Sequence, residues 1–92
     1  IAIAEDEPAV RAYLAETLRE LNYEVREFPD GAAVLAAVAA GALKVDLLLT
    51  DIVMPGLNGR QLADELLARQ PTLRVLYMTG YSRNAIVHQG RL

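Results

Sequence analysis

Acidic residues follow two short apolar segments of the 92-residue sequence, and carboxylates in such positions can bind metal ions or act as nucleophiles. Glu5 and Asp6 come directly after residues 1–4, and Asp51 closely follows residues 47–49. Short apolar runs are typical of parallel strands buried on both faces, whose carboxyl ends meet at one edge of the sheet. Taken singly, an Asp at such a point is more often a turn former or helix cap. Taken together, the acids predict a shared site.

Carboxylates that converge in one crevice repel each other unless a cation lies among them. Mg²⁺ suits such a site because it prefers oxygen ligands. Asp51 can also be a nucleophile, since carboxylates form aspartyl phosphates. Thr79 follows another apolar segment and would offer a hydroxyl to an oxygen of the transferred group. The residues therefore suggest Mg²⁺-dependent phosphoryl transfer to Asp51.

The elements that must position these residues alternate between strand and helix patterns. Apolar residues at helical spacing predict helices over residues 9–21, 32–40, 59–70 and 84–89. Short apolar or alternating segments predict strands over residues 1–4, 23–28, 45–50 and 73–78, the second of them at a sheet edge. Strand-helix units joined by right-handed crossovers form an α/β fold with a doubly wound parallel sheet.

The helix ends and faces give finer expectations. The first helix is predicted to bury the stripe Val10, Leu14, Leu18 and Leu21, with Arg11 on its surface. Asn22 and Gly41 are expected to stop helices, because both residue types adopt the left-handed conformation. Asp30 is expected to cap the second helix.

Composition excludes several classes of function. The sequence is 53% hydrophobic with a net charge of −3, so it reads as one small globular domain without the basic surface that nucleic-acid binding needs. It contains no Cys, which excludes disulfides and thiolate metal sites and fits a cytoplasmic protein. No apolar run approaches the ~20 residues that span a bilayer, so we expect no membrane association by this domain.

Three motifs resemble the receiver domain of response regulators in two-component signalling, and the resemblance covers all 92 residues. They are the acidic pair Glu5-Asp6, the segment Leu-Leu-Thr-Asp-Ile-Val-Met-Pro-Gly-Leu-Asn-Gly around Asp51, and Met-Thr-Gly-Tyr-Ser around Thr79. The resemblance implies a flavodoxin-like receiver fold with strand order 2-1-3-4. It also implies a phosphorelay module rather than an enzyme, with intrinsic autophosphorylation and autodephosphorylation.

The resemblance also implies a role for each site residue. Asp51 would accept a phosphoryl group from a phosphohistidine-containing kinase or phosphotransfer protein. Asp6 and Asp51 would bind Mg²⁺ directly, Glu5 through water, and Val53 through its backbone carbonyl. Thr79 would be the switch hydroxyl. The ending Met-Thr-Gly-Tyr-Ser-Arg-Asn is similar to receivers of hybrid histidine kinases, which makes such a kinase a candidate parent protein.

One departure from the family pattern concerns a lysine that receivers carry at the end of a fifth strand. The single lysine here, Lys44, precedes the third strand and would lie roughly 20 Å from Asp51 at ~3.3 Å per residue. The fifth strand and last helix are also absent, so we expect a receiver domain truncated at its C-terminal side. These residues alone would be unstable, or would pair through strand four as a homodimer or by strand exchange. A receiver-like protein-binding module that works without phosphorylation stays open as the alternative.

Two other classes fit less well. A haloacid dehalogenase-like phosphatase needs a second Asp two positions after the nucleophile, and that position holds Val53. A dinucleotide-binding fold needs a Gly-rich turn after the first strand, where the sequence has acids that would repel a pyrophosphate.

Overall fold

The computed structural model describes residues 1–41 and 43–78 of the chain, in which strands and helices alternate. The elements are β1 (Ala2–Ala4), α1 (Pro8–Glu20), β2 (Arg26–Phe28), α2 (Gly31–Ala39), β3 (Leu47–Asp51), α3 (Gly59–Arg69) and β4 (Arg74–Met78). Each corresponds to a predicted element. Thr79 and the helix predicted over residues 84–89 lie outside the described residues.

The four strands of the described part form one parallel sheet in the order β2-β1-β3-β4. This confirms both the predicted order and the edge position of β2. The register pairs Ala4 of β1 with Thr50 of β3, so the segments that leave these two strands begin at neighbouring positions. Acids that follow β1 and end β3 therefore share one edge of the sheet.

The two faces of the sheet are covered by different helices. Along β1, Ala2 and Ala4 pack into a core built largely from α2, α3 and Leu48, whereas Ile3 packs against α1. This alternation follows from the two-residue period of a strand. Burial on both faces explains why the strands read as continuous apolar runs, and the doubly wound architecture is confirmed.

Two predictions around the end of α1 are wrong in detail. The second strand begins at Arg26 rather than at residue 23, and Leu21 is 63% exposed instead of continuing the buried stripe. The reason is local: Leu21 is the C-cap, and Asn22 reverses the chain with φ 71°, as expected of a helix stop. The end of the helix and the reversal at Asn22 direct residues 21–24 away from the core, and all four are exposed.

The other helix ends follow the sequence signals. The Asp30 side chain accepts a hydrogen bond from the Ala33 N–H (2.8 Å) at the start of α2, and Gly41 has φ 72° beyond its end. Across residues 1–41 and 43–78, no helix has the length and apolar character needed to cross a membrane.

Candidate functional site

Three carboxylates meet at the carboxyl edge of the sheet. One side-chain oxygen from each of Glu5, Asp6 and Asp51 lies within 4.8 Å of the others. Glu5 is 0% exposed and Asp51 is 1% exposed, so two of the three acids are fully buried. The predicted convergence of these side chains is confirmed.

Glu5 is fixed through its backbone and its side chain. Its N–H donates to the Phe28 carbonyl (3.1 Å), which continues the pairing between β1 and β2. Its Oε2 accepts from the Glu7 N–H (2.9 Å), so the carboxylate is tied to the turn that starts α1. Glu7 itself caps α1 through its side chain, which accepts from the Ala9 N–H (3.4 Å). The turn therefore sets the direction of the Glu5 carboxylate.

Arg11 completes this turn, although the sequence predicted it on the helix surface. Its side chain is half-buried, and its Nη1 donates to the Glu5 carbonyl (2.8 Å). Side chains on a helix lean toward its N-terminus, so a long side chain in the first turns can reach back to the strand that precedes the helix. The position of Arg11 in the first turns therefore predicts that it can reach this turn, but not which carbonyl it contacts.

Asp51 is the last residue of β3 and not the first residue of the following loop. It pairs with Met78 of β4, and the next N–H, that of Ile52, donates to the Met78 carbonyl (3.1 Å). The buried Thr50 hydroxyl donates to the Asp51 carbonyl (2.9 Å). Asp51 therefore stands on a rigid element, as a group that must be held in one geometry requires.

The β3–α3 loop returns closely to Asp51 and leaves no room for a side chain at Gly59. A Cβ on Gly59 would lie 2.2 Å from the Asp51 carbonyl oxygen, and its N–H donates to the Ile52 carbonyl (2.8 Å). Asn58 and Gln61 close a capping box at the start of α3. The sequence predicted only a turn at residues 58–59, so the close approach of Gly59 to the Asp51 carbonyl of β3 was missed.

Val53 and Thr79 are the other predicted site residues, and Lys44 is the lysine that departs from the family pattern. Val53 lies in the β3–α3 loop with a side chain that is 74% exposed. Thr79 is outside the described residues. Lys44 lines a cleft at the amino end of the sheet together with Ile1 and Arg74, which confirms its predicted place at the edge opposite Asp51.

The donor set fits Mg²⁺ on three observations. All three grouped side chains offer carboxylate oxygens, which this ion prefers. The Oδ1 atom of Asp6 is buried and has no hydrogen-bond partner among the described residues, and such an oxygen is costly unless it binds a cation or water. The spacing of up to 4.8 Å also suits a mixture of direct and water-mediated contacts.

Comparison with known proteins gives consistent matches over nearly the whole chain. The family described as response regulator receiver domain matches residues 1–91. The response regulator receiver protein CpdR of Brucella abortus (strain 2308) is 34% identical over 86 residues, covering 94% of this chain and 70% of that protein. The sensor kinase CckA of the same organism is 31% identical over 85 residues, covering 92% of this chain.

Among solved structures, the crystal structure of the receiver domain from the hybrid histidine kinase CckA superposes with a TM-score of 0.78 at 30% identity. The match covers 98% of this chain and 94% of that one. By contrast, the chain spans 9% of the length of the Brucella sensor kinase. The similarity to the sensor kinase is therefore limited to one of its domains, and it does not give this chain the activity of the larger protein.

Proposed function

This chain belongs to the response regulator receiver domain family of two-component signalling, and from that premise we propose that Asp51 is its phospho-acceptor. The observation that carries the proposal is the cluster of Glu5, Asp6 and Asp51 at the carboxyl edge of the sheet, in which Glu5 and Asp51 are fully buried. We include all residues 1–92 in this domain. Thr79 supplies the switch hydroxyl in the same proposal.

The proposed reaction is a displacement at phosphorus. A carboxylate oxygen of Asp51 forms an O–P bond as the N–P bond of a phosphohistidine breaks, and the electron pair of that bond leaves with the imidazole nitrogen. The product is an acyl phosphate on Asp51. Burial of Asp51 supports this role because a desolvated site keeps water from the reactive acyl phosphate.

Glu5, Asp6 and Asp51 would hold Mg²⁺, with the backbone carbonyl of Val53 as a further ligand. When bound, the ion supplies positive charge that neutralises the transferring phosphoryl group. Asp6 would bind it directly through the oxygen that has no partner among the described residues, and Glu5 would act through water. In this proposal the Asp51 carboxylate would help to hold the ion and would also form the bond to phosphorus.

The proposed partner is a phosphohistidine-containing kinase or phosphotransfer protein in the cytoplasm. The relatives include a response regulator receiver protein and a sensor kinase, so a hybrid histidine kinase that contains this segment is one proposed parent. Sequencing the gene on both sides of this segment tests that parent. A kinase core beside the segment supports it, and an effector domain in that place contradicts it.

Asp6→Asn is expected to weaken Mg²⁺ binding and phosphorylation together, because it removes one negative charge from the cluster while keeping the side-chain shape. We expect at least a tenfold rise in the Mg²⁺ dissociation constant. Isothermal titration with MgCl₂ measures the affinity, and labelling by acetyl phosphate measures the reaction.

Glu16→Gln is the matched control, since Glu16 is an exposed acid on α1 and is outside the grouped carboxylates. Its Mg²⁺ affinity is expected to stay close to that of the unmodified protein. Unchanged Mg²⁺ affinity in Asp6→Asn would remove Asp6 from the proposed site.

A further inference from the structure

Arg11 joins the first helix to the turn that carries the acids. Its Nη1 atom donates to the Glu5 carbonyl at 2.8 Å, in a half-buried position. A hydrogen bond from a guanidinium is charge-assisted and stronger than a neutral one. It connects a rigid helix to the residue that begins the acidic pair.

This contact completes the restraint of Glu5. The Glu5 N–H is bonded to Phe28 of β2, and its Oε2 is bonded to the Glu7 N–H. The Arg11 bond fixes the carbonyl, which belongs to the same peptide group as the Asp6 nitrogen. Rotation of that peptide would move the start of Asp6, so Arg11 acts on both acids through their shared peptide plane.

We propose that Arg11 is a positioning residue for the proposed Mg²⁺ site: by holding the Glu5–Asp6 peptide, it keeps both carboxylates turned toward Asp51 before the ion arrives. The inference rests on the proposed function, because it gives Arg11 a role in that site. Residues that orient metal ligands are known to affect metal affinity by about tenfold or more.

Charge alone would give the opposite result. The Arg11 guanidinium is positive, so by Coulomb repulsion it opposes Mg²⁺ binding, and its removal would strengthen binding if charge were its main effect. Positioning predicts that removal weakens binding. The sign of the change therefore separates the two roles.

The test compares Arg11→Met with Arg11→Lys in the purified protein. Arg11→Met removes the guanidinium but keeps a long apolar side chain, and we expect its Mg²⁺ dissociation constant to rise about tenfold. Arg11→Lys keeps the charge but has one donor nitrogen in place of the planar guanidinium, and we expect a dissociation constant between those of the unmodified protein and Arg11→Met. Isothermal titration with MgCl₂ alone gives both constants.

A second readout excludes a purely structural role. With acetyl phosphate as donor, Arg11→Met is expected to need more Mg²⁺ for half-maximal phosphorylation, while the rate at saturating Mg²⁺ falls much less. General destabilisation that leaves the variant almost fully folded at the assay temperature would lower the melting temperature without moving the half-saturation point, because the binding-competent fraction would stay close to one.

Arg19→Met is the matched control. Arg19 lies on the same helix and its Nη2 donates to the Val25 carbonyl (2.9 Å), but at the far end from the acids. Its Mg²⁺ affinity is expected to be that of the unmodified protein. If Arg11→Met does not fold, weaker Mg²⁺ binding by Arg11→Lys supports positioning.

Two outcomes would overturn the inference, and only the second would also overturn the proposed function. If the unmodified protein binds Mg²⁺ and is phosphorylated but the folded Arg11 variants bind Mg²⁺ as well as it or better, the role of Arg11 is wrong and the proposed function stands. If the unmodified protein neither binds Mg²⁺ nor accepts a phosphoryl group, the proposed function fails and the inference fails with it.

Discussion

Asp51→Asn is expected to abolish acyl-phosphate formation from acetyl phosphate in the presence of Mg²⁺. The amide is nearly isosteric with the carboxylate, but it lacks the negatively charged oxygen that would form the bond to phosphorus. Because Asp51 is 1% exposed and grouped with two other acids, removing its charge also relieves repulsion among them. We therefore expect a melting temperature without Mg²⁺ at or above that of the unmodified protein.

Asp64→Asn is the control for this substitution, since Asp64 is an exposed acid on α3. It is expected to be labelled like the unmodified protein. Labelling is measured by mass spectrometry of the intact protein, and thermal melting shows that each variant is folded. Labelling of Asp51→Asn at the unmodified rate would exclude Asp51 as the acceptor.

Gly59→Ala is expected to lower both the stability of the fold and the rate of phosphorylation. The new Cβ would stand 2.2 Å from the Asp51 carbonyl oxygen, and backbone on both sides of this contact prevents relief by a side-chain rotation. Overpacking of this kind costs about 3 kcal/mol. Relief requires displacement of the loop or of Asp51, and a 1 Å misplacement of a reacting group can cost about 100-fold in rate. Urea unfolding and acetyl phosphate labelling measure the two effects.

Gly31→Ala is a closely matched control because Gly31 begins α2 as Gly59 begins α3. Its nearest obstacle is the Leu57 Cδ2 atom at 3.1 Å, the end of a side chain that can move. We expect a change in the free energy of unfolding within about 1 kcal/mol. Equal losses in the two variants would contradict the idea that the Asp51 contact makes Gly59 indispensable.

Prediction from the sequence was most accurate where the local pattern of residue types and burial in the core favoured the same structure. Apolar runs such as residues 47–49 and helical stripes such as that of α1 predicted alternating strands and helices with a parallel sheet, because strands buried on both faces read as continuous apolar runs. The edge shared by Glu5, Asp6 and Asp51 followed from this topology alone. The strand order 2-1-3-4 was implied by the resemblance to receiver domains. The prediction that Leu21 is buried was wrong because Leu21 is the C-cap, where α1 ends and its periodic pattern no longer applies.

The contacts that hold the site could not be derived in the same way. Arg11 and Gly59 act on backbone carbonyls, those of Glu5 and Asp51, and a pattern of residue types does not show which carbonyl lies nearby. Both depend on how a helix returns to the strand before it. Sequence patterns therefore predicted which acids lie together, whereas the structure was needed to show which contacts fix their geometry.

Asp51 is proposed to carry the phosphoryl group in a Mg²⁺-dependent reaction. The most direct measurement treats the protein with acetyl phosphate, with and without Mg²⁺, reduces the acyl phosphate with borohydride and maps the modified peptide by mass spectrometry. We predict a single Mg²⁺-dependent modification, at position 51. Modification at Glu5 or Asp6 instead, or no modification of a folded protein that binds Mg²⁺, would contradict the claim, and the second result would favour a binding module that works without phosphorylation.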